Sequence, residues 1–434
     1  MRRACTQALF DAISVLELLL RNKNFRRVWL GSVVSLFGDW FNTIALFTLI
    51  GGLTGSPMAV GAVLATKMIA FATCSPIAGI IADRFDRRRL MILSDLLRAA
   101  IVLLFLFVRD AEHVPLAYAL IFLQIAVGSV FRPAKSASVP NIVRPDELLT
   151  ANTIMSATWS TLLALGAALG GLATAALGTD AIFLVDAASY LVSALLLYGT
   201  SFETPPPKPS ERGVIATAIT DLRAGWRYLS KVPAVGRMAL AKATWAVGGA
   251  GLVYLLTQLG EEMRPDAPSV GIGWLFAARG LGTGVGPVLA RAALPNRAHW
   301  PLALGLFVVC SALCYAVAAV VGSFAWLVFF VIVAHAMSGA NWVLSTVLLQ
   351  ERAENAMQGR VFATEWVILT GVDAVMILAV SGALEAGWLD VRGAMFACAA
   401  IMALGGAIWT ARVPKAERAM RRARAEAGDR PPGP

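Results

Sequence analysis

Apolar runs of about 20 residues, each long enough to cross a hydrocarbon core of roughly 30 Å, recur along this sequence almost from one end to the other. Nothing constrains the fold more. Inside lipid a chain must satisfy its own N–H and C=O groups, and segments of this length do so only as helices. The runs fall near residues 28–52, 58–82, 90–108, 115–137, 150–178, 181–199, 236–259, 269–290, 301–321, 324–348, 362–386 and 391–411. They predict an all-α membrane protein of twelve transmembrane helices. Composition agrees, with 58% hydrophobic and 15% charged residues, where soluble chains run near half and a quarter.

The net charge of +10 raises the question of nucleic acid. No basic face carries interleaved aromatics, and Lys and Arg instead collect in alternate loops and at the two ends. Only Arg109, Arg264 and Arg392 fall in the opposite set of loops. That asymmetry places both termini in the cytoplasm, in a cell inner membrane, with membrane lipids as surroundings and no nucleic-acid partner.

The start, residues 1–27, is basic at its head but has Asp11 and Glu17 within its apolar region, which argues against a signal peptide. Leu9, Ile13, Leu16 and Leu20 share a helical face, so an amphipathic cytoplasmic segment is expected. Residues 28–199 then form one six-helix bundle and 236–411 a second. Between them, 200–235 is a cytoplasmic linker. Its proline-rich part is followed by a helix with Ile215, Ile219, Leu222 and Trp226 along one face. Residues 412–434 are a basic tail. The halves resemble one another: "SPMAVGAVLATKMIAFATCSPIAGIIADRFDRR" aligns with "APSVGIGWLFAARGLGTGVGPVLARAALPNR". A parallel repeat predicts two pseudo-symmetric bundles with a site near the midplane.

The loop "GIIADRFDRRRL" puts acids and four arginines between two apolar runs. Its Gly79, Asp83, Arg84, Arg87 and Arg88 resemble the signature loop of the major facilitator superfamily. "GDWF" in span 1, "FRPAKSASVPNIV" closing span 4, "DELLTAN", "DLRAGWRYL" and "GRVFA" narrow the likeness. Together they resemble the drug:proton antiporter branch that holds macrolide-efflux and enterobactin-exporter-like proteins. The resemblance implies a monomeric secondary transporter that rocks its two bundles around a central cavity lined by spans 1, 4, 7 and 10. It also implies a gating latch at the loop. The residues themselves support a latch. Gly79 permits close helix approach. Asp83 is placed to meet a helix N-terminus. Arg87, Arg88 and Arg89 can pair with Asp95 or with lipid phosphate. The same charges read otherwise are plain positive-inside anchors.

Ionisable groups at membrane depth are costly and point to function. At about 1.5 Å per residue, Asp39, Lys67, Arg279, His335 and Asp373 lie roughly 18–24 Å from the cytoplasmic ends of their helices. Ser35, Asp39 and Asn42 form a polar stripe on span 1. Asp39 is the first choice for proton coupling, through approach and withdrawal of Lys67, with Asp373 as a second acid; a static Asp39–Lys67 pair is the structural alternative. Lys242 and Asp186, nearer the interfaces, read as structural. Trp40, Asn42, Phe131, Trp245, Arg279, His335 and Trp342 are the candidate substrate contacts. The aromatics among them offer apolar area and ring faces for a cation. Arg279 suits an anionic group or the neutralising of an acid, and a single intramembrane His such as His335 more often donates to a carbonyl than binds a ligand.

No phosphate-binding loop of Walker type occurs, and "GLGTG" lies inside span 8. The five cysteines and three histidines have no metal-ligand spacing. No enzyme, cofactor or metal is expected, only a proton gradient. The expected function is export of an amphipathic small molecule by proton antiport. The alternatives are a lipid or lysophospholipid flippase, an uncoupled facilitator, and a membrane sensor or scaffold on a transporter fold.

Overall fold

The computed structural model describes residues 16–201 and 213–426, the last six without their side chains. The expected N-terminal face is outside these residues for Leu9 and Ile13, as are the proline-rich part of the linker and the end of the tail.

Every regular element among the described residues is helical. The order is α1 (Lys23–Thr54), α2 (Pro57–Arg84), α3 (Arg87–Leu104), α4 (Val114–Gly128), α5 (Phe131–Ile142), α6 (Leu148–Tyr198), α7 (Val214–Lys231), α8 (Pro233–Ala239), α9 (Ala241–Met263), α10 (Pro268–Ala293), α11 (Trp300–Ala318), α12 (Phe324–Arg352), α13 (Gln358–Glu385) and α14 (Val391–Glu426). Short 3₁₀ turns link several of them.

The first helices show why the chain turns where it does. Asn22 caps α1 by accepting from the Phe25 N–H at 2.9 Å, and Gly55 ends it in the left-handed conformation at φ 60°. Ser56 caps α2 and Pro57 opens it. Asp86 accepts from the Arg89 N–H at 2.7 Å to start α3. Two-residue joints therefore suffice between long helices. In α6 the backbone of Gly178 stands at φ 79°, ψ 166°, so this element is two helices meeting at a turn that a side chain would strain.

Ten segments among the described residues are long and apolar enough to cross a membrane. One of them, Pro145–Tyr198, contains the Gly178 break. The 26-residue α10, which carries Arg279 and Arg291, is a further long helix outside those ten. Outward-facing leucines such as Leu165, Leu172, Leu184, Leu191 and Leu195 on α6 are exposed, as lipid-facing positions would be.

The chain forms two compact units. The first contains residues 1–220 and 256–280. Within it α6 lies close along α1: a methyl at Gly166 would stand 3.0 Å from the Trp40 Cβ. Ser269 at the start of α10 donates to the Gly171 carbonyl at 3.0 Å. This bond, with the Trp40 and Phe47 rings beside Phe276, holds 256–280 against α1 and α6.

The second unit contains residues 221–255 and 281–434. Its core gathers Leu304, Leu344, Leu348, Val361, Trp300 and Trp409. Two buried polar groups find backbone partners: the Trp409 indole donates to the Pro301 carbonyl at 2.8 Å and the Asn341 amide to Leu304 at 3.1 Å. Buried Glu417 on α14 holds both Arg237, at 3.0 Å, and Arg352, at 2.8 Å.

Candidate functional site

A cavity of about 400 Å³ opens within the first unit, walled by α1 to α6. Its polar side comes from α1, where Ser32, Ser35, Asp39 and Thr43 recur at three- and four-residue spacing and so share a face. Another part of the wall comes from where α4 runs into α5. Pro133 has no N–H to offer the carbonyl of Ser129, but Ser129 and Val130 keep right-handed helical dihedrals, so the two elements run on as one span. Phe131, Arg132 and Lys135 of α5 line the cavity.

Asp39 is the acid on the cavity wall, with 37% of its side chain accessible. Its carboxylate accepts a hydrogen bond from the Tyr190 hydroxyl, and Arg98 lies 3.9 Å away. Arg98 also pairs with fully buried Asp95. Its guanidinium sits 4.2 Å from the Tyr190 ring centre and 5.1 Å from that of Phe131. A neutral relay continues behind: Gln124 donates to the Tyr190 oxygen at 3.1 Å and accepts from the Asn42 amide at 3.2 Å. Asp186 is buried beside Ser189, which approaches one carboxylate oxygen at 3.4 Å; its other oxygen has no hydrogen-bond partner.

Several expectations are corrected here. Lys67 does not bond to Asp39; its ammonium donates to Thr43 Oγ1 at 2.7 Å, and Thr43 in turn donates to the Asp39 backbone carbonyl. Asp95 pairs with Arg98 and not with the arginines of the loop, because a three-residue helical spacing puts both on one face of α3. At Gly79 an added Cβ would meet nothing within 4 Å, so no close helix approach depends on it. Among the described residues Asp83 meets no helix N-terminus, and it lies 4.0 Å from Arg87 one turn on.

Arg87 and Arg88 of the loop bind backbone carbonyls, and Arg84 a side chain. Arg87 donates to the Ala137 carbonyl at 2.6 Å and Arg88 to Leu197 at 3.2 Å. Arg84 reaches Thr217 Oγ1 at 3.5 Å.

Of the predicted substrate contacts, Trp40, Asn42 and Phe131 line the cavity together with Asp39 and Lys67. Arg279 belongs to the first unit but not to this lining; its guanidinium stands 5.9 Å from the Phe276 ring centre. The rest lie in the second unit. The Trp245 indole donates to Ser311 at 3.2 Å. His335 is buried, 2.6 Å from the Tyr315 hydroxyl and 3.2 Å from Ser338. Trp342 packs edge-on against Trp366, and Asp373 is half-buried on α13.

Lys242 is deeper in protein than its sequence position suggested. It pairs with Glu365 at 2.9 Å and its ammonium lies 4.7 Å from the Trp342 ring centre. Arg98, Tyr190, Gln124 and Glu365 are the functional-site and buried-charge residues that reading the sequence passed over. Depth alone flags Glu365: it stands on a predicted span, five residues beyond Arg360. Among the described residues no cluster of three or more His, Cys, Asp or Glu is placed to hold a metal.

Comparisons with known proteins agree with this architecture. The chain is 26% identical over 291 residues to "Uncharacterized MFS-type transporter YfiS" of Bacillus subtilis, covering 64% of this chain and 65% of that protein. It is 25% identical to "Putative bacilysin exporter BacE" of Bacillus amyloliquefaciens, over 78% of this chain and 84% of that protein. A shorter match to "Macrolide efflux protein A" of Streptococcus pyogenes reaches 31% over 29% of this chain and 31% of that one. Among solved structures, a peptide transporter POT in complex with sulfate superposes at TM-score 0.72 and 15% identity, covering 91% of this chain and 95% of that one. A bacterial homolog of the human lysosomal transporter Spinster, inward-facing and occupied, gives 0.70 at 14%, covering 90% and 96%; at such identities these two show the fold alone. The family model of the Major Facilitator Superfamily matches residues 28–364. The chain spans between half and two thirds of the length of the first relatives it matches, YfiS and "Uncharacterized MFS-type transporter YkuC" of Bacillus subtilis; with the family match across most of the sequence, it belongs to the Major Facilitator Superfamily.

Proposed function

We propose that this transporter exports an amphipathic small molecule by proton antiport, with alternating access of two six-helix bundles and Asp39 as the coupling group. Twelve spans follow if α6 counts as two at Gly178 and α10 crosses despite its arginines. Both termini are then cytoplasmic, in the cell inner membrane, and the loop at Asp83, Arg84, Arg87 and Arg88 is the cytoplasmic gate. Relatives named as exporters support the direction of transport.

The observation that carries the coupling reading is the placement of Asp39. A carboxylate at membrane depth keeps access to a cavity while it shares Arg98 with Asp95. Three groups of one charge balance are thus linked. When Asp39 is ionised, Arg98 is held between two acids. A proton on Asp39 removes that attraction and leaves Arg98 to Asp95. The Tyr190 hydroxyl then donates to a neutral carboxyl, a weaker bond than one to a carboxylate. Such a change shifts how α1, α3 and α6 bind to one another, and a transporter that tilts helices needs a switch of this kind. The cavity's volume falls in the range of small-molecule pockets, about 300–1,000 Å³. Lys67 and Asp373 are secondary coupling candidates. Trp40, Asn42 and Phe131, with Trp245, Arg279, His335 and Trp342, are the proposed substrate contacts.

The test is transport in proteoliposomes under an imposed pH gradient, screened over dyes, macrolides, siderophores and lysophospholipids. For the compound that responds, Asp39→Asn is expected to reduce gradient-driven export to the protein-free level with purified yield unchanged. Full export by Asp39→Asn would overturn the assignment.

A further inference from the structure

The cavity of the first unit is lined by four basic side chains, Lys67, Arg98, Arg132 and Lys135, and by one acid, Asp39. Arg98 is committed to Asp95 and Asp39. Among the described residues no carboxylate lies within 4.0 Å of the other three. Lys67 has the Thr43 hydroxyl. Arg132 and Lys135 have ring faces, with Phe71 5.8 Å from one and Phe131 5.9 Å from the other.

We propose that the ligand of this cavity is an amphipathic anion. Its carboxylate- or phosphate-type group sits between Arg132 and Lys135, and its apolar body lies on Phe71, Phe131 and Trp40. The proposal rests on the export reading only in taking this cavity as the substrate's site.

Three observations lead there. Arg132 and Lys135 are three residues apart on α5, so they share a face and repel one another. They are not anchors at the Ile142 end of α5: at about 1.5 Å per residue they stand roughly 10–15 Å inside it, on the cavity wall. And the chain does supply a counter-charge to a buried lysine elsewhere, since Lys242 has Glu365 at 2.9 Å. In the cavity the missing counter-charge is left for the occupant to bring. A guanidinium and an ammonium side by side suit oxyanions, the first as a planar fork and the second as a point charge.

The test uses the full-length protein in nanodiscs with no pH gradient. The probes share one apolar body: naphthalene-1-acetate, 1-naphthylmethyl phosphate and 1-naphthylmethylammonium. The two anions are expected to bind at least about tenfold more tightly than the ammonium compound. Arg132→Gln and Lys135→Gln should each weaken the anions by about three- to tenfold while leaving the ammonium probe unchanged or tighter. Lys135→Arg should restore anion binding, which a merely structural role would not require. Equal or tighter binding of the cation, or variants that weaken all three probes alike, overturns the proposal.

Competitors separate the source of the anionic group. Displacement by lysophosphatidylglycerol assigns it to a lipid headgroup, and displacement by soluble naphthyl anions alone assigns it to a water-soluble amphipath; both support the proposal. Inorganic phosphate competing as well as the naphthyl anions would remove the apolar half of the claim and overturn it. The export reading is tested separately. Anion preference together with full transport by Asp39→Asn sinks the coupling assignment and leaves this site standing. Gradient-driven export of the ammonium probe does the reverse.

Discussion

Both units place a cation beside a carboxylate at membrane depth, and the surroundings of the two pairs differ. In the first, Asp39 keeps 37% of its side chain accessible, Arg98 divides itself between two acids, and Tyr190 and Gln124 offer neutral hydrogen bonds. In the second, Lys242 and Glu365 are 5% and 2% accessible, and one Glu365 oxygen has no hydrogen-bond partner. A buried pair costs several kcal/mol per ion to desolvate and holds only while both charges are present. Water in a cavity removes much of that penalty. The second pair therefore fixes α9 to α13; in the first Arg98 is as buried as Lys242, at 7% against 5%, and the accessible Asp39 is the member that the proposed coupling would let change partners. Burial, more than residue type, separates a clamp from a switch.

The comparison breaks most visibly at the clamp. Lys242→Met should strand Glu365 as an unpaired buried charge and lower stability by about 3–5 kcal/mol, read as a large drop in the thermal midpoint of the solubilised protein. The double variant Lys242→Met/Glu365→Leu should recover most of that loss; if it does not, the pair does more than hold two helices. Tyr190→Phe probes the switch. It deletes a hydrogen bond to a charged group, worth about 1.5–3 kcal/mol, so gradient-driven transport should change by roughly 10–100-fold and the midpoint should fall by less than for Lys242→Met. A thermal loss equal to that of Lys242→Met would erase the distinction. The smallest effect belongs to a pair that faces solvent: Asp221 and Arg360 lie 2.8 Å apart with 36% and 45% of their side chains accessible. Arg360→Gln should cost under about 1 kcal/mol and set the baseline for the other two.

The helices were legible because lipid makes hydropathy nearly sufficient. Even the split between runs 150–178 and 181–199 falls on the positive-φ glycine of α6. Depth alone also marked Asp39 and Lys67, and span position marked Trp40 and Phe131, which share the cavity. Partners were less legible. Arg98 looks like the tail of a basic loop, and only the packing of α3 against α6 brings it to Tyr190. The partner of Lys242 lies on a helix far along the chain, and no local pattern announces it. Gly79 shows the converse: a motif glycine suggests contact, and the structure finds open space there.

The Lys242–Glu365 clamp also has a consequence for biogenesis. Its two residues are separated by 123 positions. At about 5–20 residues per second, the ribosome needs on the order of 6–25 s after making Lys242 to deliver Glu365. During that interval α9 leaves the insertion machinery with an ammonium whose counter-charge has not been synthesised. Its long aliphatic stem can carry that group toward the lipid headgroups in the meantime, and the pair can close only once α13 has been made.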